Sequence, residues 1–186
     1  LRDIADRHGY YYGGRISLSV GLMVVVITLV IGIPVGASAG YFGGAVDNVL
    51  MRVTDAFLTL PTLLVLIMLS AIMREVEFPL LERNNVLTIA LVIGLLSWMT
   101  VARLVRATFI TIREKEFVVA ARGIGAANLR IIVRHILPMA IGPVIVEATL
   151  EVGWAIMEEA GLSFLGFGIR PPTPSWGNLL SNAQEH

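Results

Sequence analysis

Residues 116–138 read EFVVAARGIGAANLRIIVRHILP, and the rest of the chain is laid out around this stretch. It is polar and basic, the pair Gly123 and Gly125 breaks it, and apolar runs flank it on both sides. Helix formers fill Glu116 to Arg122, after which glycine permits a sharp backbone change. From Ala126 to Ile136 a helical pattern resumes, with Ile131, Ile132 and Ile136 apolar and Arg130 and Arg134 one turn apart on another face. Pro138 permits a fresh helix start. The spacing predicts two short helices joined at the glycines. Together they make a compact knob with the small side chains of Ala120 and Ala121 exposed for close approach.

Outward from this knob, the chain divides into apolar runs of about the ~20 residues that a helix needs to cross a bilayer. The spans are expected at about 16–40, 56–73, 84–102 and 139–157. The last is the weakest, because it holds Glu147 and Glu151. Pro34 and several glycines are expected to loosen the later turns of the first span, which neighbouring helices tolerate in a membrane. Pro61 falls in the first turns of the second, where proline costs least. Residues 47–55 form a charged connector, 74–83 a polar loop, 103–138 the large loop holding the knob, and 158–186 a second large loop. Composition points the same way. Hydrophobic residues make up 56% of the 186 and charged residues 15%, with mean hydropathy +0.79, against about a quarter charged in a typical globular protein. The expected fold is therefore an all-α membrane protein, a polytopic helical bundle forming one transmembrane domain over residues 1–186.

Charge placement orients it. With four crossings, the connector 47–55 and the loop 103–138 share one side. That side carries Arg52 together with Arg103, Arg106, Arg113, Lys115, Arg122, Arg130 and Arg134. The other side sets Arg74, Arg83 and Arg170 against Glu75, Glu77, Glu82, Glu158, Glu159 and Glu185. The excess of basic residues puts the knob in the cytoplasm. By basicity alone the favoured reading of the knob is a loop that contacts only lipid headgroups.

Catalytic signals are missing from the sequence. It has no cysteine, hence no disulfide and no thiolate metal site, and its three histidines are isolated. There is no H-E-x-x-H run, no nucleophile elbow and no Gly-rich phosphate loop ending in Lys-Ser/Thr. The chain is expected to be no enzyme, to hold no cofactor or metal of its own, to bind no nucleic acid, and to draw any energy from a partner. Glu147, Glu151, Trp154 and Glu158 fall within about 60° of one another at 100° per residue, one stripe along the fourth span. A carboxylate there costs on the order of 2.5–3.5 kcal/mol, so the stripe should line a watery path or meet a partner helix that neutralises it. Glu159 points elsewhere and is less suspect.

Two stretches carry a family resemblance. Ala120 and Ala121, then Gly125, then Ile136, Leu137 and Pro138 at a compressed last spacing, resemble the "EAA" loop of ABC-importer permeases. Val119 stands where that motif has Glu; Glu116 could supply its role. GLSFLGFGIRPPTPSWGNLL at 161–180, GYFGG at 40–44 and ARLVR at 102–106 resemble the dipeptide/oligopeptide/nickel group, C-type subunit. The resemblance runs from about Gly14 to Gln184. It implies a permease of the type I importer kind in a bacterial or archaeal cytoplasmic membrane, with a further helix and outer loop before residue 1 and a sixth helix after residue 186. It also implies a homologous permease subunit, two cytoplasmic ATPase subunits holding ATP and Mg, and an extracytoplasmic solute-binding protein facing the 161–184 loop. Glu116, Ala120, Ala121, Arg122, Gly123, Gly125 and Pro138 would then form the ATPase-coupling loop. Peptide is the expected solute; nickel or another small cation remains open, as does a proton-coupled transporter using Glu147 and Glu151.

Overall fold

The computed structural model describes residues 2–75, 85–169 and 173–184, and among these every regular element is helical. The expected 74–83 loop lies almost wholly outside the described residues, as do Arg170, Pro171, Pro172 and Glu185 of the last loop. In order the helices are α1 (Arg2–Phe42), α2 (Gly44–Leu58), α3 (Thr62–Glu75), α4 (Asn85–Ile112), α5 (Glu116–Gly123) and α6 (Asn128–Ile131). A π-helical turn (Ile132–Ile136) then leads into α7 (Leu137–Phe164), and α8 (Trp176–Gln184) follows.

Among the described residues three helical runs are long and apolar enough to cross a membrane: Tyr11–Phe42, Val86–Ile112 and Asn128–Phe164, of 32, 27 and 37 residues. A fourth exists only if the interrupted pair Gly44–Leu58 and Thr62–Met73 counts as one. The second span therefore differs from the unbroken 56–73 run expected above. Thr59 N–H closes α2 on the Asp55 carbonyl at 3.2 Å, and Pro61 stands just ahead of α3. Proline has no N–H to continue the ladder and pushes the residue before it out of helical geometry. The 14 residues of α3 reach about 21 Å, short of a ~30 Å hydrocarbon core. The connector 47–55 is itself helical, lying within α2. The large loop is shorter than expected, because α4 continues to Ile112 and carries Arg103 and Arg106 within it.

The chain packs as two compact units. One comprises 1–27, 60–96 and 150–186; the other comprises 28–59 and 97–149. The first has its core at Val20, Val24, Leu66, Ile93 and Leu162. The core of the second holds Tyr41, Val105, Phe109, Val118, Ile131 and Ile136.

Within the second unit, the glycines of α1 do something other than loosen it. A methyl group added at Gly32 would stand 2.9 Å from the Trp98 carbonyl oxygen, and one at Gly40 would stand 2.7 Å from that of Arg106. At Gly36 it would run into the Ala102 carbonyl oxygen. Both sets repeat every four residues, so each glycine faces one turn of α4 at backbone-contact range. This small-xxx-small packing holds membrane helices together where lipid provides no hydrophobic driving force. Helix α1 stays continuous through Pro34 to Phe42.

Pro138 likewise does not start a new helix. The path from Asn128 to Phe164 is unbroken, and the ladder widens to a π turn over Ile132–Ile136 just before the proline. A widened turn accommodates the carbonyls that Pro138 can neither bond nor clear.

Candidate functional site

The knob is built from α5, the turn at Gly125 and α6, all within the second unit. Lys115 enters α5 in an extended conformation, φ −69° and ψ 146°. At the other end three backbone bonds close the helix. Ile124 N–H donates to Ala120 O at 3.1 Å, Gly125 N–H to Arg122 O at 3.0 Å, and Ala126 N–H to Ala121 O at 3.1 Å. The last two are the bonds of a left-handed C-cap, and Gly125 supplies the left-handed residue with φ +81°. Gly123 is an ordinary helical residue, absent from the positive-φ glycines. Of the pair, only Gly125 is required to be glycine.

Burial divides the knob into two faces. Val118, Ala121, Ile131 and Ile136 pack into the core of the second unit. Ala121 therefore does not offer the exposed surface expected of it: it sits three residues after Val118, on the same inward face. Ala120 is exposed, as are Glu116, Arg122, Gly123, Gly125 and Pro138. The outer surface is apolar to a degree the sequence pattern did not reveal. Ile124 is 88% exposed and Leu129 72%, with Phe117, Val119 and Val133 also uncovered. Val119, at the position of the motif's Glu, thus leaves no gap inside the fold; it adds one more apolar side chain to the surface. The available signal was that Ile124 and Leu129 are apolar yet flank the turn, outside both helices' inward faces.

Ionic and aromatic contacts brace this unit. Arg106 donates through Nε and Nη2 to both oxygens of Asp47, and Arg103 pairs with Asp55. Arg113 Nη1 donates to Gly40 O at 2.9 Å, and Tyr41 Oη donates to Asn128 Oδ1 at 2.8 Å. The Arg122 guanidinium lies over the Tyr41 ring, 5.6 Å from its centroid. An open cleft of about 380 Å³ beside these groups is lined by Tyr41, Phe42, Arg113, Glu114, Val119 and Arg122.

The residues of the expected stripe lie along the single helix α7 and differ in burial. Glu147 is half-buried in the second unit; in the first, Glu151 is buried, Glu158 half-buried and Trp154 exposed. The residue passed over, Glu159, is fully buried. Its Oε2 accepts from Ser17 Oγ at 2.8 Å and its Oε1 from Ser163 Oγ at 2.6 Å. Each hydroxyl in turn accepts a backbone N–H, Ser17 from Trp176 at 3.3 Å and Ser163 from Ile169 at 3.0 Å. Both serine protons are thereby directed onto the carboxylate, which ties α1, the end of α7 and the start of α8 together. Helix α7 ends in the same left-handed cap as α5. Phe167 N–H bonds Leu162 O at 2.8 Å and Gly166 N–H bonds Ser163 O at 3.0 Å, with Gly166 at φ +80°. The glycine of the Ser-Trp-Gly run, Gly177, sits where a methyl group would stand 2.6 Å from the Ala160 carbonyl oxygen. Among the described residues no three His, Cys, Asp or Glu side chains group closely enough to hold a metal ion.

Comparison with known proteins fits this arrangement. The model of the family described as binding-protein-dependent transport system inner membrane component matches residues 32–185, which take in the knob, the glycine contact and all of the Glu159 cradle except Ser17. The chain belongs to that family. A putative peptide permease protein of Brucella ovis is 42% identical over 172 residues, covering 92% of this chain and 54% of the relative. The dipeptide transport system permease protein of Alkalihalophilus pseudofirmus is 41% identical over 184 residues, 99% of this chain and 57% of the relative. The oligopeptide transport system permease protein of Bacillus subtilis is 35% identical over 181 residues, 97% and 56%. The chain thus spans about half the length of the curated relatives it matches. As a family member it is an inner membrane component with several apolar helices, in keeping with the resemblance carried by residues 120–138 and 161–180.

Proposed function

We propose that this chain is a membrane-spanning subunit of an ATP-driven importer of peptides, and that the α5–Gly125–α6 knob is where an ATPase subunit engages it. The observation that carries the reading is the knob itself. Its backbone is fixed by the left-handed cap at Gly125, and its inner face is anchored through Val118 and Ala121. Its outer face leaves Val119, Ile124 and Leu129 uncovered. A rigid support that exposes apolar side chains beside basic ones is what a partner protein needs for an anchor with a desolvated centre and a charged rim. The family match and the peptide permeases among the relatives support both the importer and the solute class.

In this reading the complete transporter pairs the chain with a homologous permease subunit, two cytoplasmic ATPases that hold ATP and Mg, and an extracytoplasmic solute-binding protein, in a bacterial inner membrane. Hydrolysis takes place in the ATPases, and the knob passes their motion to α4 and α7, with which it is continuous in sequence. Glu147, Glu151, Trp154 and Glu158 would face the solute pathway or the partner permease. Purification followed by uptake in proteoliposomes tests the proposal. The chain should co-purify with an ATPase subunit, and uptake of labelled dialanine should require internal ATP and survive collapse of the proton gradient. Uptake that stops with the gradient while ATP remains would establish a secondary transporter instead.

A further inference from the structure

The GYFGG run at 40–44 entered as a family signature, and docking makes no use of it. Tyr41 nevertheless touches both arms of the knob. Its hydroxyl bonds Asn128, the first residue of α6, at 2.8 Å. The Arg122 guanidinium near the end of α5 lies over its ring at 5.6 Å. The side chain is buried, 6% exposed, within the same core as Val118, Ala121 and Ile131. Phe42 meets the ring edge-on at 5.2 Å, and one residue earlier Arg113 holds the Gly40 carbonyl. The Gly125 turn between the two arms is held by its backbone cap bonds alone: beyond its chain neighbours no atom lies within 4 Å of where a side chain there would begin. Tyrosine is the residue that supplies a hydroxyl donor and a π face for a cation from one ring.

We infer that Tyr41 is a positioning residue that clamps α5 and α6 to the end of α1. Displacement of the knob then moves α1 with it, in addition to α4 and α7, which the chain already joins to it. Without the clamp only the cap bonds at Gly125 and the buried Val118, Ala121 and Ile131 hold the two arms, and part of the displacement is dissipated at the turn. This role rests on the docking reading of the knob.

The absence of cysteine makes a direct test available on the assembled transporter in lipid. Single cysteines replacing the exposed Val30 on α1 and Lys115 ahead of α5 carry spin labels, and their separation is measured without nucleotide and with Mg-ATP. The wild type should give one narrow distance that is the same in both states, and Tyr41→Leu a broadened distance that shifts with nucleotide. Tyr41→Phe keeps the ring and the fold and loses only the hydroxyl. It should lower dialanine uptake per ATP about three- to tenfold, the range one hydrogen bond spans, at unchanged ATPase affinity. Asn128→Ala added to Tyr41→Phe should cause no further loss, since both remove the same bond. The inference is overturned if Tyr41→Leu matches the wild type in distance width and uptake per ATP, or if the Phe and Ala losses multiply. If the wild-type chain binds no ATPase, docking fails and the clamp falls with it; an ATPase that binds while Tyr41→Leu changes nothing sinks the clamp alone.

Discussion

Replacing Gly125 with alanine separates the backbone demand of the knob from its packing. The residue sits at φ +81°, and nothing lies within 4 Å of the position a methyl group would take, so no collision contributes. The cost is backbone strain, about 1–2 kcal/mol for an L-residue held in the left-handed region. The alternative is to relax that residue and release the cap bonds from Gly125 to Arg122 and from Ala126 to Ala121. At about 1 kcal/mol net each, that costs as much or more. The strained cap should therefore persist while opening locally about 5- to 30-fold more often. Gly123→Ala should behave in the opposite way. Its site is equally open but helical, so alanine gains up to about 1 kcal/mol in helix propensity. Hydrogen–deuterium exchange over residues 116–131 reads both. Gly125→Ala should speed exchange at the amides of 124–126, and Gly123→Ala should slow exchange or leave it unchanged. Equal behaviour of the two variants would refute the assignment of the left-handed cap to Gly125.

Gly36→Ala should lower the Tm of the purified chain, because the methyl group meets the Ala102 backbone. At about 1–3 kcal/mol for overpacking and about 2–4 °C per kcal/mol, the loss is several degrees; Gly142→Ala, in open space, should not lower it. Glu159→Ala strips the acceptor from the Ser17 and Ser163 hydroxyls, at about 1–3 kcal/mol for each left unsatisfied. Glu159→Gln keeps one carbonyl acceptor and should be the milder by Tm; equal Tm losses would contradict the cradle. Glu147→Gln with Glu151→Gln should weaken uptake of cationic peptides selectively if these groups face the pathway, whereas an equal loss for all peptides would place them at a subunit contact.

Much of this was legible in the sequence, and the gaps have physical causes. Long uncharged runs announce membrane helices because only helices satisfy their own backbone there, so α1 and α4 could be read directly, and α7 less sharply because glutamates interrupt it. The break at Pro61 could not, since the residues on both sides are equally apolar. Gly32, Gly36 and Gly40 looked like weak points because their role depends on the α4 backbone more than sixty residues away. In α5, Phe117, Val118, Val119, Ala120 and Ala121 are apolar in succession, so their order sets no helical phase, and the burial of Ala121 follows only from the fold. Glu159 points away from the other carboxylates, so helical periodicity leaves it outside the stripe. Ser163, one turn on, hinted at its role, but its other partner is Ser17, 142 residues away. Gly125 was readable, because a glycine just past a short helix is the common signal of a left-handed cap.

Ile124, at 88% exposure, is the most prominent side chain of the face proposed to dock the ATPase. A photo-crosslinking residue placed at 124 in the assembled transporter reports directly on what covers it. A covalent adduct with the ATPase subunit is expected, and Leu129→Asp should strongly reduce it. An adduct with lipid or with another permease subunit, and none with the ATPase, would contradict docking at this face.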